Sequence, residues 1–476
     1  MRFEMLIDGQ WQGAQDGGTW DVINPATEEV ITTVPFGGEA EARAAVDAAH
    51  KAQPGWAAMT AYQRGEILQR VAQLIHQRMD ELAPILTREA GKPLAEARGE
   101  WTASADLFSW FAEEGKRAYG RTIPARKAEK RLLAISQPVG VVGTITAWNF
   151  PAYLPARKWS AALAAGCAVV GRPSELAPLS AMALANLMAE AGIPPGVFNL
   201  INGDPAAMAR VMFESPYVDK ISFTGSQAVG RLLMRQAADG IKRLALELGG
   251  SAPVLVFADA DVEQAAKAAV QAKFRNAGQV CISPSQFYIH EDLYVDFLAA
   301  CAQEAGKLVV GNGLDPETTM GPVISSAARE KVEAFVADAV DQGGRIVFGG
   351  ERPAHLEKGF FYAPTIITDI APSMRICCEE VFGPVMAVGK FKTVEEAIQR
   401  ANDTPFGLAG YIFTRDLSIA TRAYEQLRFG IVGVNDLVPA TAEGPFGPMK
   451  QSGFGREGAV EGLREFMETK FVSMVV

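Results

Sequence analysis

The chain has 476 residues, which at about 150 residues per domain allows about three domains. With 49% hydrophobic residues, 21% charged residues and a mean hydropathy of +0.07, the composition is that of a folded globular protein and excludes disorder as the main state. The 55 acidic and 45 basic residues give a net charge of -10, so nucleic acid and anionic membrane surfaces are unsuitable partners.

Neither a signal peptide nor a membrane span is predicted. The longest strongly apolar run, 161–170, falls well short of the roughly 20 residues that a span needs. The first eight residues contain acids and no sustained apolar core. The five cysteines form an odd, sparse set without C-x-x-C pairs, so we predict no metal site, no disulfide framework and a cytoplasmic location.

Short Val- and Ile-rich runs alternate with helical patterns from about residue 139, which predicts βαβ units around a parallel sheet. Helical patterns before that point are expected to pack on the sheet, whereas the basic stretch 117–130 has no apolar period and indicates an excursion between domains. After residue 257 the alternation restarts, which predicts a second α/β domain. The strands expected in the first, doubly wound layer are 139–147, 168–171, 197–201, 220–223, 244–248 and 253–257. The expected helices are 39–53, 62–89, 101–116, 179–191, 227–238, 262–275 and 293–307.

Cys281 is the first candidate functional residue. It follows the polar, glycine-containing stretch 275–279, which ends a helical pattern. A thiol placed there would lie near backbone donors and a cation that favour the nucleophilic thiolate. The alternative is an inert buried cysteine, the commoner state of this residue and our interpretation of Cys167.

Glu247 is the second candidate, because it is a single acid in an apolar strand that ends in a glycine pair. Burial raises the pKa of such a carboxyl group toward the range in which a general base works. A helix cap or a buried ion pair is the alternative.

Two further motifs each follow a predicted strand. The Asn149 amide could stabilise an oxyanion, although a turn residue before a helix is the commoner role of an isolated asparagine. The Phe-Thr-Gly-Ser run at 223–226, followed by Gly230, is similar to a phosphate-binding turn, but its glycine spacing is not the G-x-G-x-x-G fingerprint.

Together these motifs occur in an order that resembles the aldehyde dehydrogenase family over essentially the whole chain. The matching motifs are Trp-Asn-Phe-Pro (148–151), Arg-Pro-Ser-Glu (172–175), Phe-Thr-Gly-Ser (223–226), Glu-Leu-Gly-Gly (247–250), Gly-Gln-Val-Cys (278–281) and Glu-Val-Phe-Gly-Pro (380–384). The stretches 273–279, 430–435 and 445–447 are most similar to the succinate-semialdehyde dehydrogenase group.

The resemblance implies catalysis through a thiohemiacetal and a thioester. Cys281 attacks the aldehyde carbonyl, and the Asn149 amide and the Cys281 backbone N–H hold the oxyanion. Hydride passes to nicotinamide, and Glu247 deprotonates the water that hydrolyses the thioester. Transfer of the acyl group to CoA and an inactive structural homologue are the alternatives, against which the retained Glu247 and the complete catalytic set argue.

The resemblance also implies a cofactor groove for NAD, with NADP as the alternative. Arg172, which replaces the family's usual lysine, favours a 2′-phosphate, whereas the Glu175 carboxylate would bind the adenosine ribose and repel that phosphate, so we predict NAD. Glu380 would bind the nicotinamide ribose. The residues predicted to line the groove are Trp148, Arg172, Ser174, Glu175, Gly225, Ser226, Leu248, Glu380 and Phe382.

An anionic aldehyde is the substrate that the resemblance implies. Arg157 and Arg275 match arginines that hold the substrate carboxylate in the succinate-semialdehyde group, while ordinary ion pairs would be the favoured interpretation without that match. Ala440 replaces a serine of that carboxylate site. We therefore predict succinate semialdehyde, with 3-sulfolactaldehyde, glutarate semialdehyde and lactaldehyde as alternatives. Ser283 replaces the second cysteine of some members, so no local disulfide switch is expected.

Three regions are implied by the same resemblance. We predict an NAD(P)-binding domain from 1–116 and 139–249, a catalytic domain from 250–447, and a small β oligomerisation element from 117–138 and 448–476. Independently, the apolar tail 470–476 would be an aggregation hazard if it were unpaired. Its pairing with a neighbouring subunit is expected, in a homodimer or homotetramer.

Overall fold

The computed structural model describes every residue from Met1 to Val476 as an α/β protein with four sheets. The strands are β1 (Met5–Ile7), β2 (Gln10–Gln12), β3 (Thr19–Ile23), β4 (Val30–Pro35), β5 (Arg121–Ile123), β6 (Lys130–Pro138), β7 (Val141–Ile145), β8 (Ala168–Arg172), β9 (Phe198–Leu200), β10 (Val218–Gly225), β11 (Arg243–Leu248), β12 (Ala252–Val256), β13 (Pro284–His290), β14 (Arg345–Phe348), β15 (Thr365–Thr368), β16 (Val385–Phe391), β17 (Ala409–Phe413), β18 (Ile431–Val434), β19 (Gly453–Phe454) and β20 (Met467–Val475).

The helices agree with most of the predicted periodic segments. They are α1 (Glu39–Ala58), α2 (Ala61–Gln77), α3 (Met79–Ala90), α4 (Leu94–Glu114), α5 (Tyr153–Ala165), α6 (Leu179–Ala191), α7 (Pro205–Glu214), α8 (Gln227–Gly240), α9 (Val262–Phe274), α10 (Tyr294–Ala305), α11 (Ser326–Asp341), α12 (Arg375–Cys378), α13 (Val394–Asn402), α14 (Leu417–Gln426) and α15 (Ala459–Arg464). The predicted helix 62–89 is two helices, α2 and α3, which meet at Arg78. No helix combines the length and the apolar surface that crossing a bilayer demands.

The first sheet is the predicted doubly wound layer. Its strands lie in the order β19-β11-β10-β7-β8-β9-β1-β2, and the five from β11 to β9 run parallel. Helices α1, α7 and α8 pack on one face, and α5 and α6 on the other, so β7 and β8 are buried along their whole length. From β7 the next two strands, β8 and β9, are added on one side, and β10 and β11 are added on the other. This switch in strand order between β7 and β10 opens a crevice at the carboxyl ends of these two strands.

The second sheet follows in the chain and lies in the order β14-β15-β16-β13-β12-β17-β18, parallel except for β14. One sequence prediction is wrong here. The run 253–257, expected in the first layer, forms β12 and pairs with β13 and β17 of the second sheet. Hydrophobic periodicity identifies a strand but not its sheet, and Gly249 and Gly250 carry the chain out of the first layer before β12 begins.

A third sheet consists of β20, β6 and β5. The tail was expected to pair with a neighbouring subunit, whereas β20 pairs antiparallel with β6 of the same chain, from Met467 opposite Pro138 to Val475 opposite Lys130. The segment 448–466 does not belong to this sheet. It supplies β19 to the first sheet, and α15 packs against α4 and α5.

The loops that leave the two sheets approach each other through glycine backbones. A Cβ on Gly249 would lie 2.1 Å from Glu380 Oε2, and one on Gly278 would lie 2.1 Å from the Gly383 carbonyl oxygen. Gly278 also has a φ of +73°, which side chains disfavour. The loop before β13 therefore contacts the loop before β16 at backbone distance.

The substitution Gly278→Ala is expected to force these two loops apart. The added Cβ meets the backbone of Gly383 and adopts a strained φ, so the free energy of unfolding should fall by at least about 1–3 kcal/mol. Urea denaturation measures this loss. The matched control is Gly99→Ala within α4, where nothing lies within 4 Å of the new Cβ and the free energy of unfolding should rise by about 0.5–1 kcal/mol. Equal effects of the two substitutions would contradict the analysis.

Candidate active site

A cleft of about 560 Å³ opens at the reversal between β7 and β10. It is lined by every residue predicted above for the cofactor groove, and by Cys281, Glu247 and Asn149. The first sheet and the loops before β13 and β16 all contribute to its wall. The cleft residues that the sequence did not single out include Pro205, Ala206, Val229, Leu232, Gln236, Lys331, Phe446 and Glu457.

One end of the cleft is built to receive an anion. Strand β10 ends at Gly225, and the Ser226 hydroxyl caps α8 by accepting a hydrogen bond from the Val229 N–H at 3.3 Å. Gly230 allows α8 to lie close to the sheet, because a Cβ there would be 2.6 Å from Leu248 Cδ2. Free N–H groups and the helix dipole at such an N-terminus favour a phosphate.

Arg172 and Glu175 meet in the wall beside this helix end. Arg172 Nη2 donates to Glu175 Oε2 at 2.6 Å and to the Gly203 carbonyl at 2.8 Å, while its buried Nε has no partner. The guanidinium and the carboxylate therefore neutralise each other in the protein alone. A ligand that approaches this end meets a paired acid and base whose buried Nε–H donor is still free.

The opposite end contains Glu380. Its Oε1 accepts a hydrogen bond from the Gly250 N–H at 3.0 Å. Burial raises the pKa of Glu380 to about 7, although this hydrogen bond and the positive charges of Lys331 and Lys273 act in the other direction. The Phe382 ring packs edge-on against Trp148, with 5.5 Å between the ring centroids. This end can bind hydroxyl groups and a flat ring.

Cys281 follows a short 3-10 turn, Arg275–Gly278, in which Asn276 and Ala277 both have positive φ. The expectation of a stabilised thiolate is wrong for the protein alone. Burial raises the pKa of the Cys281 thiol to about 12, and the carboxylates of Glu247 and Glu380 raise it further. The Cys281 backbone N–H has no acceptor within the protein, so it remains available to a ligand.

Glu247 is the penultimate residue of β11 and is 6% exposed. Neither of its carboxyl oxygens has a hydrogen-bond partner, so it is neither a cap nor one half of an ion pair. Burial, followed by the charge of Glu457, raises its pKa well above the ordinary value, as the sequence predicts. An unpartnered carboxyl group with a raised pKa is a stronger base than an ordinary carboxylate once it is ionised.

Asn149 is buried between the two sheets. Its backbone carbonyl oxygen accepts hydrogen bonds from Lys92 Nζ and Asn276 Nδ2, both at 2.9 Å. Its own Nδ2 donates to the Gln279 carbonyl at 3.1 Å. Because an amide nitrogen carries two hydrogens, one N–H stays free for the cleft.

Glu457 and Lys158 are site residues that the sequence analysis missed. Glu457 lines the cleft and accepts a hydrogen bond from Lys158 Nζ, which also donates to Ser222 Oγ at 3.1 Å. The two residues are 299 positions apart in the chain. The signal that could have identified Glu457 is a single acid between Gly455 and Gly458. It was missed because this segment was predicted to belong to the oligomerisation element.

The two predicted substrate arginines lie outside the wall of the cleft. The Arg157 guanidinium is stacked on Phe446, its Nη1 donates to the Tyr153 hydroxyl at 2.9 Å, and its Nε lies 3.3 Å from Glu457 Oε2. Arg275 lies over the Phe150 ring and makes no ion pair. The two arginines therefore flank the Phe150 and Tyr153 rings, which pack edge-on.

Curated relatives resemble the chain over its whole length. It is 46% identical to succinate-semialdehyde dehydrogenase [NADP(+)] GabD of Escherichia coli, covering 99% of this chain and 97% of the relative. It is 44% identical to 3-sulfolactaldehyde dehydrogenase of Pseudomonas putida, covering 100% and 97%.

Solved structures share the fold. An NADP-dependent enzyme of E. coli matches with a TM-score of 0.98 at 45% identity, over 100% of this chain and 98% of the other. Betaine aldehyde dehydrogenase of Staphylococcus aureus, in complex with NAD+, matches with a TM-score of 0.97 at 39% identity, over 99% and 94%. The model of the aldehyde dehydrogenase family matches residues 11–472. The chain belongs to the aldehyde dehydrogenase family.

Proposed function

We propose that this protein oxidises a small anionic aldehyde to its carboxylic acid with NAD(P), and that succinate semialdehyde is the substrate. The observation that carries the proposal is the meeting of Cys281, Glu247 and Asn149 in one cleft with the residues of the cofactor groove. The substrates named for the relatives support an anionic aldehyde, and 3-sulfolactaldehyde and glutarate semialdehyde are the alternatives among those names.

The cleft fits a dinucleotide cofactor in its donors and its shape. The α8 N-terminus suits the pyrophosphate, the orphaned Nε of Arg172 and the Glu175 carboxylate suit the adenosine ribose region, and Glu380 suits the second ribose. NAD(P), when bound, supplies the hydride acceptor. We expect NAD to be preferred, because a 2′-phosphate must displace Glu175 before it reaches Arg172.

Cys281 carries the acyl group in this mechanism. Its thiol loses a proton and its sulfur attacks the aldehyde carbon, which gives a thiohemiacetal. The free N–H of the Asn149 amide and the backbone N–H of Cys281 stabilise the resulting oxyanion. Because the thiol pKa is raised to about 12, removal of the thiol proton to water costs free energy at neutral pH.

Glu247 then completes the cycle by deprotonating the water that attacks the thioester. Because the pKa of Glu247 is raised, the carboxyl group ionises at a higher pH than an ordinary glutamate, and hydrolysis should accelerate as pH rises and it ionises. Glu457, paired with Lys158, lies close enough to Glu247 to raise the pKa of Glu247.

The substrate's anionic end is assigned to Arg275 and Arg157. Arg275 is half-buried and forms no ion pair within the protein, although its charge acts on the buried Glu96 carboxyl group. Arg157 already faces Glu457, but its Nη2 makes no hydrogen bond. A carboxylate between the two guanidinium groups would satisfy both.

Self-association as a homodimer or homotetramer completes the proposal. The outer edge of β20 is unpaired, and Phe471 and Val475 are 62% and 73% exposed on this strand. A second copy that covers this edge would bury both side chains. The five cysteines are all free, which fits the reducing cytoplasm.

The substitution Glu247→Gln is expected to leave hydride transfer intact and to slow hydrolysis, because the amide cannot take the proton of water. A pre-steady-state burst of NADH should remain with succinate semialdehyde, while steady turnover falls at least about 100-fold and loses its rise with pH. Stopped-flow absorbance measures both phases.

The matched control is Cys281→Ala, which should abolish the burst and the turnover together. Substitution of the exposed Cys378 by serine should change neither. Loss of the burst in Glu247→Gln would assign Glu247 to the first half of the reaction. Addition of CoA to the wild-type enzyme should not raise the rate of turnover.

The substitution Glu175→Ala is expected to shift cofactor preference toward NADP. It removes a negative charge that repels the 2′-phosphate and releases Arg172 to bind that phosphate. The ratio of kcat/KM for NADP to that for NAD should rise by about tenfold to 100-fold. The converse substitution Arg172→Ala should lower the ratio. An unchanged ratio in Glu175→Ala would show that this carboxylate does not discriminate.

The substitution Arg275→Ala is expected to weaken the binding of anionic aldehydes selectively. KM for succinate semialdehyde should rise by about tenfold to 100-fold, and KM for butanal by much less, because the lost interaction is with a carboxylate. Arg43→Ala, which removes an exposed ion pair on α1, is the matched control and should change neither KM. Equal increases for both aldehydes would refute the assignment of Arg275.

A further inference from the structure

Lys92 and Glu100 form a buried ion pair directly behind the cleft. Lys92 lies between α3 and α4, and its Nζ is 2.6 Å from Glu100 Oε2 on α4. Each side chain is 1% exposed. Neither residue lines the cleft, and the mechanism above does not use them. Burying two charged groups on folding has a large desolvation cost, so we looked for the contacts that such a pair makes possible.

Both members of the pair contact the segment that carries Asn149. Lys92 Nζ donates to the Asn149 carbonyl oxygen at 2.9 Å and lies 4.1 Å from the centre of the Phe150 ring. Glu100 Oε1 accepts hydrogen bonds from the N–H groups of Ala152 at 2.9 Å and Tyr153 at 3.1 Å, where α5 begins. One ion pair thus holds the chain on both sides of the turn at 149–152.

The nucleophile loop is tied to the same point. Asn276 Nδ2 donates to the Asn149 carbonyl oxygen and also to the Gln279 carbonyl at 3.1 Å. The Asn276 N–H in turn donates to Glu96 on α4 at 2.9 Å. Helix α4 therefore contacts the oxyanion segment through Glu100 and the nucleophile loop through Glu96, and Lys92, which precedes this helix, contacts the oxyanion segment from the same side.

We propose that Lys92 and Glu100 are positioning residues that set the Asn149 amide for oxyanion stabilisation. The hydrogen bonds from Lys92 and Asn276 to the backbone carbonyl oxygen of Asn149 fix its peptide group. The side-chain amide therefore keeps one N–H on the Gln279 carbonyl and presents the other to the cleft. Misplacement of such a donor by about 1 Å costs about 100-fold in rate. The inference rests on the proposed role of Asn149.

Two substitutions separate positioning from simple stability. Lys92→Met removes the donor to Asn149 and leaves an unpaired buried carboxylate. Glu100→Gln keeps the acceptor for Ala152 and Tyr153 but turns an amide N–H toward Lys92, which displaces it. For each variant, the rate constant of the NADH burst and the dissociation constant of the cofactor are measured on the folded protein, together with Tm.

The burst rate constant should fall by about tenfold to 100-fold in both variants, with an unchanged cofactor dissociation constant. The matched control is Lys220→Met, which breaks another buried Lys–Glu pair at 2.6 Å, with Glu465, away from the cleft. That variant should have a lower Tm than the wild type and an unchanged rate constant of the burst. If Lys92→Met fails to fold, Glu100→Gln decides the inference by the same criterion.

A double-mutant cycle with Asn149→Ala provides the decisive test. If Lys92 acts through Asn149, adding Lys92→Met to Asn149→Ala should slow the burst less than about twofold further. The inference is overturned if the effects of Lys92→Met and Asn149→Ala on the burst rate constant multiply. It is also overturned if Lys92→Met and Glu100→Gln keep the wild-type burst rate constant. In both cases the role of Asn149 stands. An unchanged burst in Asn149→Ala alone refutes the oxyanion role, and this inference with it.

Discussion

The active-site cleft depends on backbone approach at glycines where three loops meet. Side chains at 249 and 278 would collide with Glu380 and with the backbone of Gly383, and one at 250 would lie 3.2 Å from the Cys281 carbonyl oxygen. The chain crosses from the first sheet to the second at this point. Because no Cβ holds the loops apart, Glu247 near the end of β11 in the first sheet and Cys281 in the loop before β13 can face one small volume.

The charge distribution of the cleft is a second constraint. Glu247, Glu380 and Glu457 are gathered around one thiol, and their charges together with burial raise the pKa of Cys281. A raised pKa favours the protonated thiol, which is less reactive toward oxidants and electrophiles than a thiolate. A positive charge brought among these carboxylates would lower the thiol pKa again, so the charge of whatever occupies the cleft affects the reactivity of Cys281.

Much of the fold and part of the site could be predicted from the sequence, because the information was local. Strands β7 and β8 are apolar runs with helices on both faces, and Glu247 is an isolated acid in such a run. The sheet to which 253–257 belongs, the pairing of the tail and the Glu457–Lys158 contact depend on partners that are distant in the chain. The ionisation of Cys281 was misjudged because nearby residues in the sequence suggested a cation, whereas the fold supplies carboxylates.

The contacts of Asn149 with residue 279 and of Lys158 with residue 457 span 130 and 299 positions of the chain. Closing such separations follows the formation of local helices and neighbouring strands in time, because long loops must first lose entropy. A partly folded chain can therefore have most of its secondary structure before Asn149 reaches the loop of Cys281 and before Lys158 reaches Glu457. In refolding, enzymatic activity should return after circular dichroism, because the cleft is complete only when the segment around residue 457 is in place.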